Sequence, residues 1–108
     1  MVQILVVGSL NMDLVLGVER LPRPGETITG GNLALFPGGK GANQACAAAR
    51  LGGSVAMLGQ LGMDPFAAAL RDSLQTAGVD TTGIGVSNCA TGCASIYVLP
   101  SGENTIVI

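Results

Sequence analysis

The residue types best suited to chemistry are gathered in one stretch, Phe36-Pro37-Gly38-Gly39-Lys40-Gly41-Ala42-Asn43-Gln44, which runs into the alanine-rich segment Ala45 to Leu51. Glycines at 38, 39 and 41 let the backbone adopt φ > 0 and let a ligand approach the main chain, an approach that side chains would block. Ala42, Ala45, Cys46 and Ala49 follow at i, i+3, i+4, i+7, the spacing of one helix face. The loop's amides are therefore expected near a helix N-terminus, which favours an oxygen-rich or anionic ligand. Lys40, the only lysine of the chain, stands beside it. An ordinary turn uses glycine for the same reason, so glycine content alone leaves both a turn and a ligand loop open.

Two familiar phosphate loops are excluded by position. A nucleotide P-loop requires Gly-x-x-x-x-Gly-Lys followed by Ser or Thr, whereas Ala34 holds the first glycine's place and Gly41 follows the lysine. The dinucleotide fingerprint must follow a buried strand, and here the first strand is followed by Gly8-Ser9-Leu10-Asn11-Met12-Asp13.

That segment supplies a second group of candidates. Ile4-Leu5-Val6-Val7 is a short continuous aliphatic run, which suits a central strand buried on both faces of a parallel sheet. Asn11 and Asp13 come just after it, where ligands collect in open α/β sheets. Their i, i+2 spacing places them on one face of an extended chain. Simple Asx turns are the alternative reading.

The remaining elements must position these residues. Leu14 to Val18 reads as a strand, Leu21-Pro22-Arg23-Pro24-Gly25-Glu26 as a turn, and Thr27 to Phe36 as further extended chain leading back to the glycine loop. So long a connection between strand and helix exceeds the usual few residues and points to a small β-layer over the sheet's C-terminal edge. The helix Ala42 to Leu51 stops at Gly52-Gly53. Ser54 to Gly59 is the next strand. Asp64 as N-cap and Pro65 at N1 open a second helix, striped by Phe66, Leu70, Leu74 and Ala77 and stopped by Gly78. Arg71 and Asp72 read as a solvated face with no role. Val79 to Val86 reads as a connecting strand, and Ala94 to Leu99, Pro100 to Glu103 and Asn104 to Ile108 as a hairpin. The order of elements indicates an α/β fold with a separate β-layer.

Composition sets the bounds. The chain has 108 residues, 48% of them hydrophobic and 11% charged, with net charge −2. That length gives at most one domain, burying roughly two-thirds of the surface of its unfolded chain. So few charges, and an apolar run at Asn104 to Ile108, suggest a truncated chain. Scattered basic residues make no nucleic-acid footprint. No apolar run is long enough for a membrane span and Met1-Val2-Gln3 lacks a signal peptide's positive flank, so a cytoplasmic protein is expected. Cys46, Cys89 and Cys93 are odd in number and no histidine is present. Reduced thiols packed as small apolar groups are expected, and the spacing of Cys89 and Cys93 is not that of a Cys-x-x-Cys redox pair.

Taken together, Val7-Gly8-Ser9-Leu10-Asn11-Met12-Asp13, Pro22-Arg23-Pro24-Gly25-Glu26-Thr27, Gly38-Gly39-Lys40-Gly41-Ala42-Asn43-Gln44-Ala45, Gly59-Gln60-Leu61-Gly62-Met63-Asp64 and Gly102-Glu103-Asn104 occur in this order. The pattern resembles the N-terminal part of the ribokinase-like sugar kinases of the PfkB carbohydrate kinase family, over essentially the whole chain. The resemblance implies a parallel sheet with helices plus a small β-sheet lid, formed by segments of about 11–37 and 93–108 within one kinase domain. It implies that Asn11 and Asp13 hydrogen-bond sugar hydroxyls, within a substrate site of Asn11, Met12, Asp13, Gly38, Gly39, Lys40, Gly41, Ala42 and Asn43. The chemistry agrees, because hydroxyls both donate and accept: a carboxylate accepts, an ammonium donates and an Asn amide does both. Also implied are ATP, Mg2+, a monovalent cation (K+) and a homodimer formed through the lid. The catalytic aspartate and ATP pocket of the family have no counterpart in these residues, so the chain alone is expected to be inactive. A non-catalytic sugar-binding or dimerisation module, or a kinase of another sugar or nucleoside, remains the alternative.

Overall fold

The aliphatic run near the N-terminus forms strand β1 (Ile4–Val7) in the computed structural model, which describes residues 1–108. It pairs in parallel with β4 (Val55–Leu61), from Ile4 opposite Val55 to Val7 opposite Leu58, and β4 pairs in parallel with β5 (Ile84–Val86). Within these 108 residues the sheet order is β1-β4-β5, so β4 lies in the middle and β1 is an edge strand rather than the central one expected. Aliphatic content records affinity for burial, whereas lateral position depends on which strands pair. Nothing in these residues pairs with the outer side of β1. The connecting strand expected over Val79 to Val86 is confined to β5 and an isolated bridge between Ala56 and Asp80.

Two helices complete this unit, which comprises Met1–Met12 and Pro37–Gly92. Helix α1 (Lys40–Arg50) starts two residues before the expected Ala42. It ends in a Schellman arrangement: Gly53 N donates to Ala48 O and Gly52 N to Ala49 O, both at 3.0 Å, with Gly52 at φ 96. Helix α2 (Pro65–Thr76) is capped by Asp64, whose side chain accepts from Ala67 N, and Gly78 ends it at φ 94. Small residues let α1 lie close, with Gly41, Ala42 and Ala45 buried, and Met57, Leu61, Leu70 and Leu74 are the largest fully buried side chains. Arg71 is half-buried rather than solvated. Its guanidinium donates to Thr81 O at 3.0 Å and to Ile84 O at 3.3 Å, because the loop into β5 passes beside it with carbonyls that need donors.

The second unit, Asp13–Phe36 and Cys93–Ile108, is built on a four-stranded sheet of order β3-β2-β6-β7. Its strands are β2 (Asn11–Gly17), β3 (Ala34–Gly38), β6 (Gly92–Val98) and β7 (Asn104–Val107). The hairpin of β6 and β7 is antiparallel, from Ser95 opposite Val107 to Val98 opposite Asn104. Arg23 to Glu26 is a type II turn: Glu26 N donates to Arg23 O at 3.0 Å, with Pro24 and then Gly25 at φ 78 in the middle. The extended chain expected from Thr27 narrows to β3, since Gly30 and Gly31 interrupt it with no side chains to pack. Cys46, Cys89 and Cys93 form no disulfide, and Cys89 is exposed rather than packed. No helix is long and apolar enough to cross a membrane.

Candidate functional site

The glycine loop is pressed onto the backbone that leaves β1. A β-carbon on Gly39 would lie 2.5 Å from Ser9 O, and one on Gly41 would lie 2.8 Å from Gly8 Cα. Gly39 also has φ 100, a region that L side chains rarely adopt. Ala42 N donates to Ser9 O at 3.0 Å, which fastens the first turn of α1 to the segment after β1. The close approach that Gly39 and Gly41 permit is therefore first of all that of the chain to itself.

The start of α1 has no side-chain cap: Gly39 is its N-cap, and no acidic residue lies in the first turn. Asn43 N makes the first intrahelical bond, to Gly39 O at 2.9 Å. The Lys40 and Gly41 amides precede it, unpaired by helix geometry, and the positive end of the helix dipole adds to them.

Asn11 and Asp13 are the first and third residues of β2, both half-buried, so strand alternation puts them on one face rather than in Asx turns. Met12 between them turns to the other face and is only 3% exposed. Its side chain is core; what it offers a ligand is main chain. Asn11 lines a cavity of about 460 Å³ together with Gly8, Ser9, Gly59, Gln60 and Gly92. Gly8 directly follows β1 and Gly59 and Gln60 lie late in β4, so the cavity sits at the carboxyl ends of parallel strands, the usual ligand position in an open α/β sheet.

The candidates are not all gathered here. Lys40 and Asn43 do not line this cavity; Asn43 faces another, of about 390 Å³, with Pro37, Cys46, Arg50 and Ser73 on the sides of α1 and α2. Gly38 ends β3 and is buried. Asp13 belongs to the second unit. Gln60 and Gly92 are cavity residues that sequence reasoning did not assign; the register of Gly59 and Gln60 at the end of a strand was the available signal. No group of three or more acidic, cysteine or histidine side chains is placed to hold a metal ion.

Asp64 organises the wall behind Gly92. Its Oδ2 accepts from Thr91 N and its Oδ1 from Ala67 N, each at 2.9 Å. The Thr91 amide and hydroxyl, then the Ala67 amide, hold the Asp64 carboxyl below its ordinary value, because each donor favours the charged form.

A profile described as pfkB family carbohydrate kinase matches residues 1–108. Among curated proteins, the chain is 47% identical to a ribokinase of Haemophilus influenzae over 104 residues, covering 95% of the chain and 34% of the relative. It is 45% identical to a ribokinase of Bacillus subtilis over 106 residues, covering 97% and 36%. A solved structure of Arabidopsis thaliana ribokinase complexed with ribose and ATP superposes with a TM-score of 0.90 at 37% identity, covering 100% of the chain and 36% of that protein. The chain thus spans about a third of the length of these relatives.

Proposed function

The chain belongs to the pfkB family of carbohydrate kinases, and from that premise we propose that it forms the sugar-binding part of an ATP-dependent kinase whose substrate is ribose and whose product is ribose 5-phosphate. The observation that carries this reading is that half-buried Asn11 lines a cavity at the carboxyl ends of β1 and β4. An amide that both donates and accepts suits a hydroxyl that does the same. Two relatives are named ribokinase, and a third is a ribokinase held with ribose and ATP.

In this reading Asn11 and Asp13 hold sugar hydroxyls, while Gly38, Gly39, Lys40, Gly41, Ala42 and Asn43 complete the site through main chain, ammonium and amide. The work of these residues is binding and orientation. Transfer of the γ-phosphoryl group depends on positioning and charge stabilisation around an in-line displacement. The general base and the ATP pocket are assigned to residues outside these 108. Mg2+ and K+ belong to the whole kinase, and since no cluster here fits an ion, no step is assigned to one. The second unit is proposed as the lid and as the contact surface of a homodimer, supported by the exposed apolar side chains Leu35, Ile106 and Val107 on its strands. A cytoplasmic location goes with this reading.

The test is ATP-dependent phosphorylation by the full-length protein, with ribose set against 2-deoxyribose, fructose and adenosine. Preference for ribose is expected, and preference for another acceptor would keep the kinase and replace the sugar. Asp13→Ala should raise KM for the sugar roughly ten- to hundredfold, the loss of a hydrogen bond to a charged group. An unchanged KM would remove Asp13 from the site.

A further inference from the structure

Gly92, the first residue of β6, stands directly against Asn11. A β-carbon there would lie 2.2 Å from Asn11 Oδ1 and 3.3 Å from its Cγ, whereas the nearest main-chain atom, Leu10 O, would be 3.2 Å away. The first distance is an outright overlap; the last is relieved by a shift of a few tenths of an ångström. Gly92 is also not among the glycines with positive φ, so its backbone accepts alanine. The conflict therefore falls on the end of one side chain, which relieves it by leaving its rotamer.

Gly92 has little freedom to yield instead. Thr91 before it is 4% exposed, donates its amide to Asp64 Oδ2 at 2.9 Å and accepts from Gly62 N at 3.0 Å through its hydroxyl. Gly62 is packed so closely that a β-carbon on it would lie 2.4 Å from Cys89 O and 2.7 Å from Thr91 N. One carboxylate thus fastens the start of α2 and the approach to β6 together. When space is lost at 92, Asn11 is the group that moves.

We propose that Gly92 is a positioning residue of the sugar site: the space left by its missing side chain holds the Asn11 carboxamide in the rotamer that faces the cavity. This rests on the reading of Asn11 as a sugar contact. A bulkier residue at 92 turns the amide away without disturbing the fold, so binding is lost while stability is kept.

The experiment is ribose saturation at fixed ATP, with thermal unfolding in parallel, for the full-length kinase as parent, Gly92→Ala, Asn11→Ala and the double variant. Gly92→Ala should melt within a few degrees of the parent and raise KM for ribose roughly ten- to hundredfold, the worth of one or two hydrogen bonds. The turnover number should hold, as expected when binding common to ground and transition states is removed. The double variant should be no worse than Asn11→Ala, because the displaced amide is already gone. A parent-like KM in Gly92→Ala beside a raised KM in Asn11→Ala overturns the proposal and leaves the sugar site standing, as do additive losses in the double variant. A parent-like KM in Asn11→Ala overturns the sugar contact itself. Should Gly92→Ala fail to fold, folding restored in the double variant supports the proposal. A double variant that also fails places the conflict with Leu10 O and overturns it.

Discussion

The glycines of this chain do different things, and the difference is measurable residue by residue. Gly25 sits at φ 78 in a turn with nothing within 4 Å of its would-be β-carbon, so it is needed for conformation alone. Gly39 is needed twice over, at φ 100 and with Ser9 O 2.5 Å from a β-carbon. Alanine at 25 should cost about 1–2 kcal/mol, the usual penalty for an L-residue in left-handed backbone. Gly39→Ala carries strain of about 1–3 kcal/mol before the overlap with Ser9 is counted. Since that overlap is with main chain, it is relieved only by lifting α1 off the segment after β1. Denaturant titration should therefore rank Gly39→Ala well below Gly25→Ala in stability. Equal midpoints would mean that the loop is not pressed onto Ser9 in solution.

At the scale of elements, helix α2 depends on both of its ends and on one stripe. Leu70 is 1% exposed, and Leu70→Ala should cost about 2–5 kcal/mol, the range for an aliphatic side chain removed from a packed core. Asp64 adds a pH dependence. Its folded-state carboxyl is held below the ordinary 3.8 by Thr91 and Ala67, so its contribution is complete above that value and is lost as pH falls through the depressed one. Stability should drop in acid below about pH 4, and Asp64→Asn should flatten that limb in part. The rest persists because Arg20 lowers Glu26 and the Thr82 amide lowers Asp80 in the same direction. An unchanged acid limb in Asp64→Asn would exclude the clamp. Such an element was legible beforehand, since cap, proline, stripe and terminal glycine are local signals: Asp64, Pro65, Leu70, Leu74 and Gly78 all stand where the pattern put them. The hairpin of β6 and β7 was legible for the same reason. What was not legible is non-local. The edge position of β1 depends on its pairing partner, Arg71 found carbonyls supplied by a distant loop, and Gly92 meets Asn11 only once the chain has folded.

At the scale of the whole molecule, the two faces of the parallel sheet are unequally covered, and at the edge even Ile4 on the better covered face is 40% exposed. Register puts Ile4 and Val6 beside the buried Val55 and Met57, while Leu5 and Val7 lie beside Ala56 and Leu58 on the opposite side. There Leu5 is 56%, Val7 72% and Leu58 39% exposed. Parallel sheets are covered on both faces, because their strands carry apolar side chains on both. The outer edge of β1 adds unpaired backbone donors and acceptors, a template for another strand. Leu5, Val7 and the free edge together predict that the 108-residue chain, expressed alone, self-associates. Its light-scattering mass should rise with concentration, and Val7→Lys, which puts a charge in the less covered face, should lower it. A sharp monomeric peak with cooperative unfolding would show that this face is tolerated by water and would defeat the prediction. On the proposed reading, which assigns these residues to sugar binding and the general base and ATP pocket to others, the same chain should show no ATP-dependent ribose phosphorylation in that state. Turnover by the purified 108 residues, free of longer protein, would place the general base among them.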